Sequence, residues 1–244
     1  MRVDVIVPCK NDLPQEFIKM VKREIPVNRI IVSHAYPMGT ARQEAFDQVQ
    51  TEWYVSLDSD VVLHPGWWGK VWPLAQGEKV GGVIGRWRYP LEPEVDLYSD
   101  AMKELERLMG RSKERTPNGL EGDLLIRRAA AEGLRVPPLS IGEDKVVRDQ
   151  IVRNGYEWTY TDEVVCDHMR SMNIGASFQV GYQYYAFGLM RPRDVLRRLA
   201  TSPFKTTYAF LRTGRPRVYK QVAKYALEAS GCLWAWALGV KRTS

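Results

Sequence analysis

The sequence predicts an α/β fold, with a mostly parallel central sheet flanked by helices and a basic helical extension at the C-terminus. Three observations carry this. Apolar runs at strand period alternate with apolar stripes at helix period from Val3 to Leu57. An acidic pair, Asp58 and Asp60, stands where one of those strands should end. The charge is also uneven. From Arg191 onward twelve Lys/Arg face only Asp194 and Glu228, a net +10, against 23 basic and 27 acidic residues before it.

The elements follow in order. Val3 to Val7 is a near-continuous apolar run closed by Pro8, the pattern of a strand buried on both faces. Leu13, Phe17, Met20 and Val21 recur at helical spacing, and Pro26 stops that helix ahead of a strand over Arg29–Ser33. Thr40-Ala41-Arg42-Gln43 has the form of a capping box, and Ala41, Ala45 and Val49 give the helix behind it an apolar stripe. Thr51 to Leu57 is then a strand rich in aromatic and β-branched residues. This β-α-β-α-β order implies right-handed crossovers in a parallel sheet.

Pro65-Gly66-Trp67-Trp68 predicts a helix with Pro near its first turn, and Lys79–Trp87 a glycine-interrupted strand. Asp96 to Met109 reads as an amphipathic helix, Thr116–Glu121 as a mobile loop, and Gly122–Arg128 as a short strand running into Ala129–Ala131. Glu143 and Asp144 open a further helix that ends at Asn154-Gly155. Two strands, Tyr156–Thr161 and Val164–Cys166, precede Asp167-His168.

Ligands of open α/β sheets sit at the carboxyl ends of strands. Two carboxylates one residue apart there suit a hard divalent cation carrying a diphosphate, although Asp-Ser-Asp is also an ordinary acidic turn. The chain has neither a Gly-x-Gly-x-x-Gly turn nor a P-loop, so diphosphate binding would depend on a metal. Glu143 and Asp144 can serve the helix dipole or, held rigidly at a helix start, accept a proton. His168 follows an apolar strand as Asp58 does and can complete a metal shell. Cys9, Cys166 and Cys232 fit no metal or redox spacing and read as reduced, cytosolic thiols. Met1-Arg2-Val3-Asp4 leads straight into a strand, with no leader pattern.

Val5-Ile6-Val7-Pro8 with Asn11-Asp12, Ala41-Arg42-Gln43-Glu44-Ala45, Leu57-Asp58-Ser59-Asp60, Gly142-Glu143-Asp144 and His168, in that order, resemble a family 2 glycosyltransferase of the GT-A fold. Gly122–Arg128 resembles that family's acceptor-side strand, and the likeness covers residues 3 to 190. It implies a catalytic domain over 1–190 and a basic amphipathic extension over 191–244. By position, Pro8, Asn11 and Asp12 would border the base and Arg42 would lie near the nucleotide. Asp58, with Ser59, would touch ribose or base, while Asp60, Asp58 and His168 would hold Mg²⁺ or Mn²⁺ on the donor diphosphate. Asp144 would be the catalytic base, supported by Glu143. The family's acidic run after the second strand is replaced by Ser33-His34-Ala35-Tyr36, which leaves the donor base open. Its processive Gln-x-x-Arg-Trp motif is absent, so one sugar per encounter is expected.

The implied reaction is transfer from a nucleotide-diphosphate sugar to an acceptor hydroxyl or phosphate, with inversion at the sugar. A lipid-linked or cell-surface glycan acceptor fits the tail, which mixes Arg/Lys with Leu196, Phe204, Tyr208, Leu211 and Trp234. Such a mixture suits peripheral contact with the cytoplasmic face of a membrane. The apolar run Cys232–Val240 is too short to span a bilayer, and no nucleic-acid motif accompanies the charge. Two alternatives stand beside this reading: a nucleotidyltransferase of similar fold, and a non-catalytic membrane or nucleic-acid binding protein.

Overall fold

The computed structural model describes residues 1–109, 122–169 and 174–241, and of Asp162 the main chain alone. The chain divides into two compact units. The first joins Met1–Pro90 to Arg115–Arg170, and the second joins Leu91–Glu114 to Ser171–Ser244.

The first unit opens with β1 (Val3–Pro8), α1 (Gln15–Glu24), β2 (Val27–Ser33), α2 (Met38–Phe46) and β3 (Trp53–Leu57). Then come β4 (Val61–Leu63), α3 (Trp67–Val71) and β5 (Val80–Arg88). Helix α4 (Pro93–Leu108) belongs to the second unit; β6 (Asp123–Arg127), α5 (Glu143–Arg153) and β7 (Glu157–His168) complete the first. All seven strands form one sheet in the order β2-β1-β3-β6-β5-β7-β4.

Strands β2, β1 and β3 are parallel, as the alternating pattern requires. Beyond them β6 runs antiparallel between β3 and β5, and β4 antiparallel along β7, so the sheet is mixed with five strands pointing one way. The carboxyl ends of β1, β3, β5 and β7 therefore share one edge with the start of β6. That edge collects Asp58, Asp123 and His168.

Strand period divides the core between the two faces. Val3, Val5, Val7, Trp53, Val55 and Leu57 pack with Phe17, Met20 and Val21 of α1 and with Trp67 of α3. Ile6, Tyr54, Leu124 and Ile126 pack with Ala45, Val49, Val147 and Ile151 on the other face. Each such side chain contributes roughly 1.5–3 kcal/mol relative to exposure.

Three local expectations change. The capping box at Thr40 does not form: the N-cap is Pro37, three residues earlier, without a side-chain cap. Gly39 N instead donates to Leu139 O at 2.8 Å, so a neighbouring segment satisfies a first-turn donor. Pro65 lies outside α3, ahead of Gly66 at the N-cap. The two strands expected at 156–166 are one strand with a bulge, Ile84 opposing Tyr160 and Arg86 opposing Val164. Thr161 Oγ1 bridges the interruption, accepting from Arg86 N at 2.7 Å and donating to Glu163 O at 2.9 Å. The loop expected at Thr116–Glu121 lies outside the described residues.

The second unit is helical: α4 with α6 (Ser177–Ala186), α7 (Pro192–Thr213) and α8 (Lys220–Ala237). Helices α6 and α8 cross through Gly181 and Gly231, where an added methyl group would overlap the carbonyl oxygens of Glu228 and Phe178 respectively. Tyr98 and Ala101 of α4 pack with Ala209 and Val218. No described helix is long and apolar enough to cross a membrane.

Candidate functional site

The site grows from Arg42. Its helix lies over the face that Tyr54 and Ser56 present, and the side chain is 3 % exposed. The guanidinium bonds Ser56 Oγ through Nη1. Its Nη2 reaches Asp58 Oδ1 and Glu143 Oε1 at 3.0 Å each and Asp144 Oδ1 at 3.2 Å. Burial pulls the pKa of Arg42 down, but Asp144, Glu143 and Asp58 outweigh that and hold it above its ordinary value. One cation thus ties the acid after β3 to the two acids that open α5. Gly142, at φ 90°, is the turn that brings Glu143 and Asp144 there; a side chain at that φ would be strained.

A second group lies beside the first. Asp60 follows the turn after β3, His168 closes β7, and His168 Nε2 stands 3.0 Å from Asp60 Oδ1. One ligand atom from each of Asp58, Asp60 and His168 falls within 4.8 Å of the others. Asp60 is 44 % exposed and His168 is buried, stacked on Tyr89 at 5.5 Å between ring centroids. Among the described residues four carboxylates gather here, three of them on the Arg42 guanidinium and the fourth, Asp60, on His168. Two carboxylate oxygens and an imidazole nitrogen are a donor set for a hard or borderline divalent cation, and the excess negative charge favours one.

Asp123 was not singled out in the sequence. It sits opposite Leu57 on the other face of the sheet, fully buried, and accepts from Trp67 Nε1 at 2.6 Å. Burial pushes its carboxyl up to about 7, Asp58 adds to the rise, and hydrogen bonds from Trp67 and Cys166 together with His168 pull it back. A charged residue inside the apolar run Asp123–Ile126 was the one signal of it in the sequence.

Pro8 is buried at the end of β1, whereas Asn11, Asp12 and Ser59 are exposed. Asp12 faces His34 at 3.8 Å, and His34 Nδ1 lies 3.0 Å from Cys9 O. Tyr36, 72 % exposed, lies under Lys10, with Nζ 5.6 Å from the ring centroid. Among the described residues, Asp12 pairs with His34 and Asn11 O accepts from Cys9 Sγ, and neither residue bonds to the Arg42 cluster. All three cysteines are free and buried.

A sequence model of Glycosyl transferase family 2 matches residues 5–134, more than half of the chain. The chain belongs to glycosyl transferase family 2. No curated protein matches it in sequence. Among solved structures it resembles glucosyl-3-phosphoglycerate synthase from Mycobacterium tuberculosis in complex with Mn²⁺, uridine diphosphate and phosphoglyceric acid. That match has 16 % identity and a TM-score of 0.53, covering 72 % of this chain and 74 % of that one. The same enzyme with Mn²⁺, UDP-glucose and phosphoglyceric acid matches at 16 % identity and TM-score 0.52, over 76 % of both chains. With phosphoglyceric acid alone it matches at 15 % and 0.51, again over 76 % of both. At this identity the likeness is one of fold: this family member has the GT-A architecture, a mixed sheet with flanking helices followed by C-terminal helices. The chemistry its family names is glycosyl transfer.

Proposed function

We propose that the chain transfers a hexosyl group from a nucleotide-diphosphate sugar to an acceptor hydroxyl or phosphate, with inversion, and depends on Mg²⁺ or Mn²⁺. The observation that carries this is the convergence of two groups on Asp58: the Asp58–Asp60–His168 trio on one side and the Arg42-held pair Glu143–Asp144 on the other. A divalent cation on the trio would supply charge neutralisation to the departing diphosphate. The protein's own part is positional. Arg42 and the rigid start of α5 hold Asp144 where it can take the acceptor proton. The acceptor oxygen then bonds to the anomeric carbon as that carbon's bond to the diphosphate breaks, the electron pair leaving with the phosphate. Glu143, 5 % exposed, supports this pair rather than meeting solvent.

Pro8, Asn11 and Asp12, with Asp58 and Ser59, are proposed to line the nucleotide, and residues 1–190 to carry the reaction. The basic extension 191–244 is proposed to make peripheral contact with the cytoplasmic face of a membrane, where a lipid-linked or surface glycan would be met. The fold neighbour's complexes make uridine diphospho-sugars and Mn²⁺ the first probes.

The test is a thermal-shift screen of uridine, guanosine and thymidine diphospho-sugars with Mn²⁺ or with EDTA. One base is expected to stabilise the chain only with metal, and Asp60→Ala to abolish that shift. Asp144→Asn should keep the shift while turnover falls by about 10²–10⁴. A shift that survives EDTA or Asp60→Ala would remove the trio from the donor site.

A further inference from the structure

Helix α7 is amphipathic twice over. Its inner line, Val195, Ser202, Thr206 and Ala209, is buried within the helical unit. Its outer line carries Leu196, Phe204 and Leu211, exposed by 49 %, 66 % and 75 %. Separations of eight and seven residues at about 100° per residue place these three on one side of the helix, spread over about 22 Å of its length. Arg193 and Arg197 share that side. Arg193 reaches only Asp194, at 3.8 Å, and Arg197 forms no ion pair among the described residues.

Much of the basic charge elsewhere in the extension is balanced within the unit. Arg212 pairs with Glu104 at 2.8 Å, Arg198 with Glu228 at 3.2 Å, Arg217 with Glu94 at 3.5 Å and Lys220 with Glu92 at 3.6 Å. Arg193 and Arg197 therefore flank the apolar line with only Asp194 to meet them among the described residues. At the end of α8 the exposed Trp234 and Leu238 share a side over a single turn and Trp236 diverges from Trp234 by about 200°, so the apolar line of α7 is the longer one.

We propose that the outer face of α7, through Leu196, Phe204 and Leu211 flanked by Arg193 and Arg197, lies on an anionic lipid bilayer. Three large apolar side chains in line enter the acyl boundary while the two guanidinium groups stay at headgroup level. A nucleic acid would use the charges and leave the apolar line in water. A second copy of the chain would bring like charges together. This inference deepens the proposed membrane contact of residues 191–244 and is independent of the donor-site assignment.

The experiment is flotation of the full chain with vesicles of phosphatidylcholine alone or containing about one-third phosphatidylglycerol. Binding is expected only to the anionic vesicles and should weaken with salt. Phe204→Ser with Leu211→Ser should lower the partition coefficient by about tenfold per side chain. Arg193→Gln with Arg197→Gln should lower it by about fivefold per charge. All these positions are exposed, so circular dichroism and the nucleotide-dependent thermal shift should match wild type. If wild type binds and the Phe204/Leu211 variant binds equally well, α7 is the wrong face, while the extension's membrane contact stands. If wild type binds neither vesicle, both fall. Self-association or duplex binding lost in the variants, without vesicle binding, would assign the face to that partner and overturn the proposal.

Discussion

At the scale of single residues, two buried charged groups do opposite work. Arg42 joins the site, whereas Asp4, at the amino end of β1, ties that strand to β2. Asp4 accepts from Gln50 N at 2.8 Å, Asn28 Nδ2 at 2.9 Å and Arg29 Nε at 3.2 Å while itself fully buried. Burial raises its pKa, but the Gln50, Asn28 and Arg29 bonds outweigh this and leave it below the ordinary carboxylate value. An acid depressed in the folded state contributes stability above its unfolded pKa, and loses that contribution as pH falls through the folded one. Asp4→Asn should therefore cost about 2 kcal/mol at neutral pH, because Gln50 N and Arg29 lose charge-assisted acceptors. The gap from wild type should hold steady down to about pH 5 and close below about pH 4. Urea melts at several pH values measure it, and a gap unchanged at the acid end would deny Asp4 its ionised role. Residue types at strand ends and a helix start singled out Asp58, Asp60, Glu143, Asp144 and His168 in the sequence, and the family resemblance added Arg42. What could not be read was that one guanidinium nitrogen faces three of those acids, since residues 42, 58 and 143–144 meet only through the crossovers. Asp123 escaped for the same reason: its partner Trp67 is 56 residues away.

Elements were legible where a single period governs them. The buried run of β1, the stripe of α1 and the aromatic alternation of β3 all fold as their patterns predict. Patterns failed where the deciding partner is remote. Leu139 O moves the start of α2, and Thr161 carries β7 through a bulge that reads in sequence as a break between strands. The crossing of α6 and α8 is the strongest case, because two glycines fifty residues apart share no local signature. Each lets a helix backbone approach the other's carbonyl oxygens. Gly231→Ala must push α6 off α8 or bend one of them, and should cost about 3 kcal/mol by overpacking. Gly69 is the control: it too lies in a helix, but a methyl group there meets nothing within 4 Å, so Gly69→Ala should be neutral or stabilise by up to about 1 kcal/mol. Equilibrium unfolding of the two variants measures the contrast, and equal effects would mean that the α6–α8 approach carries no stability.

At the scale of the whole molecule, charge and connectivity belong together. Read along the chain, the shift from acidic to basic at Arg191 looks like a boundary between a body and a tail. In space, part of the basic charge of residues 191–244 is met by acids of α4 and its N-cap, with Arg212 on Glu104, Arg217 on Glu94 and Lys220 on Glu92. The apolar contacts follow the same route: Tyr98 and Ala101 of α4 are buried with Ala209 and Val218, and Tyr185 of α6 with Val195, Ala229, Cys232 and Ala235. The unit is therefore discontinuous in sequence, with α4 inserted between β5 and β6. A chain ending at residue 190 would keep α4 and α6 but strip both of these partners, exposing Tyr98 and Tyr185 and leaving Glu92, Glu94 and Glu104 without their counter-charges. Short helices deprived of their packing face are marginal in water. Such a truncation should lose the helical signal of α4 and α6 along with that of the deleted residues. It should also be cut by trypsin at Lys103 and Arg107, sites that in the full chain lie within the packed α4. Circular dichroism and limited proteolysis of the truncated and full chains test this. If α4 stays helical and uncut without residues 191–244, its fold owes nothing to the contacts with α7 and the turn before α8, and the extension is a separate appendage.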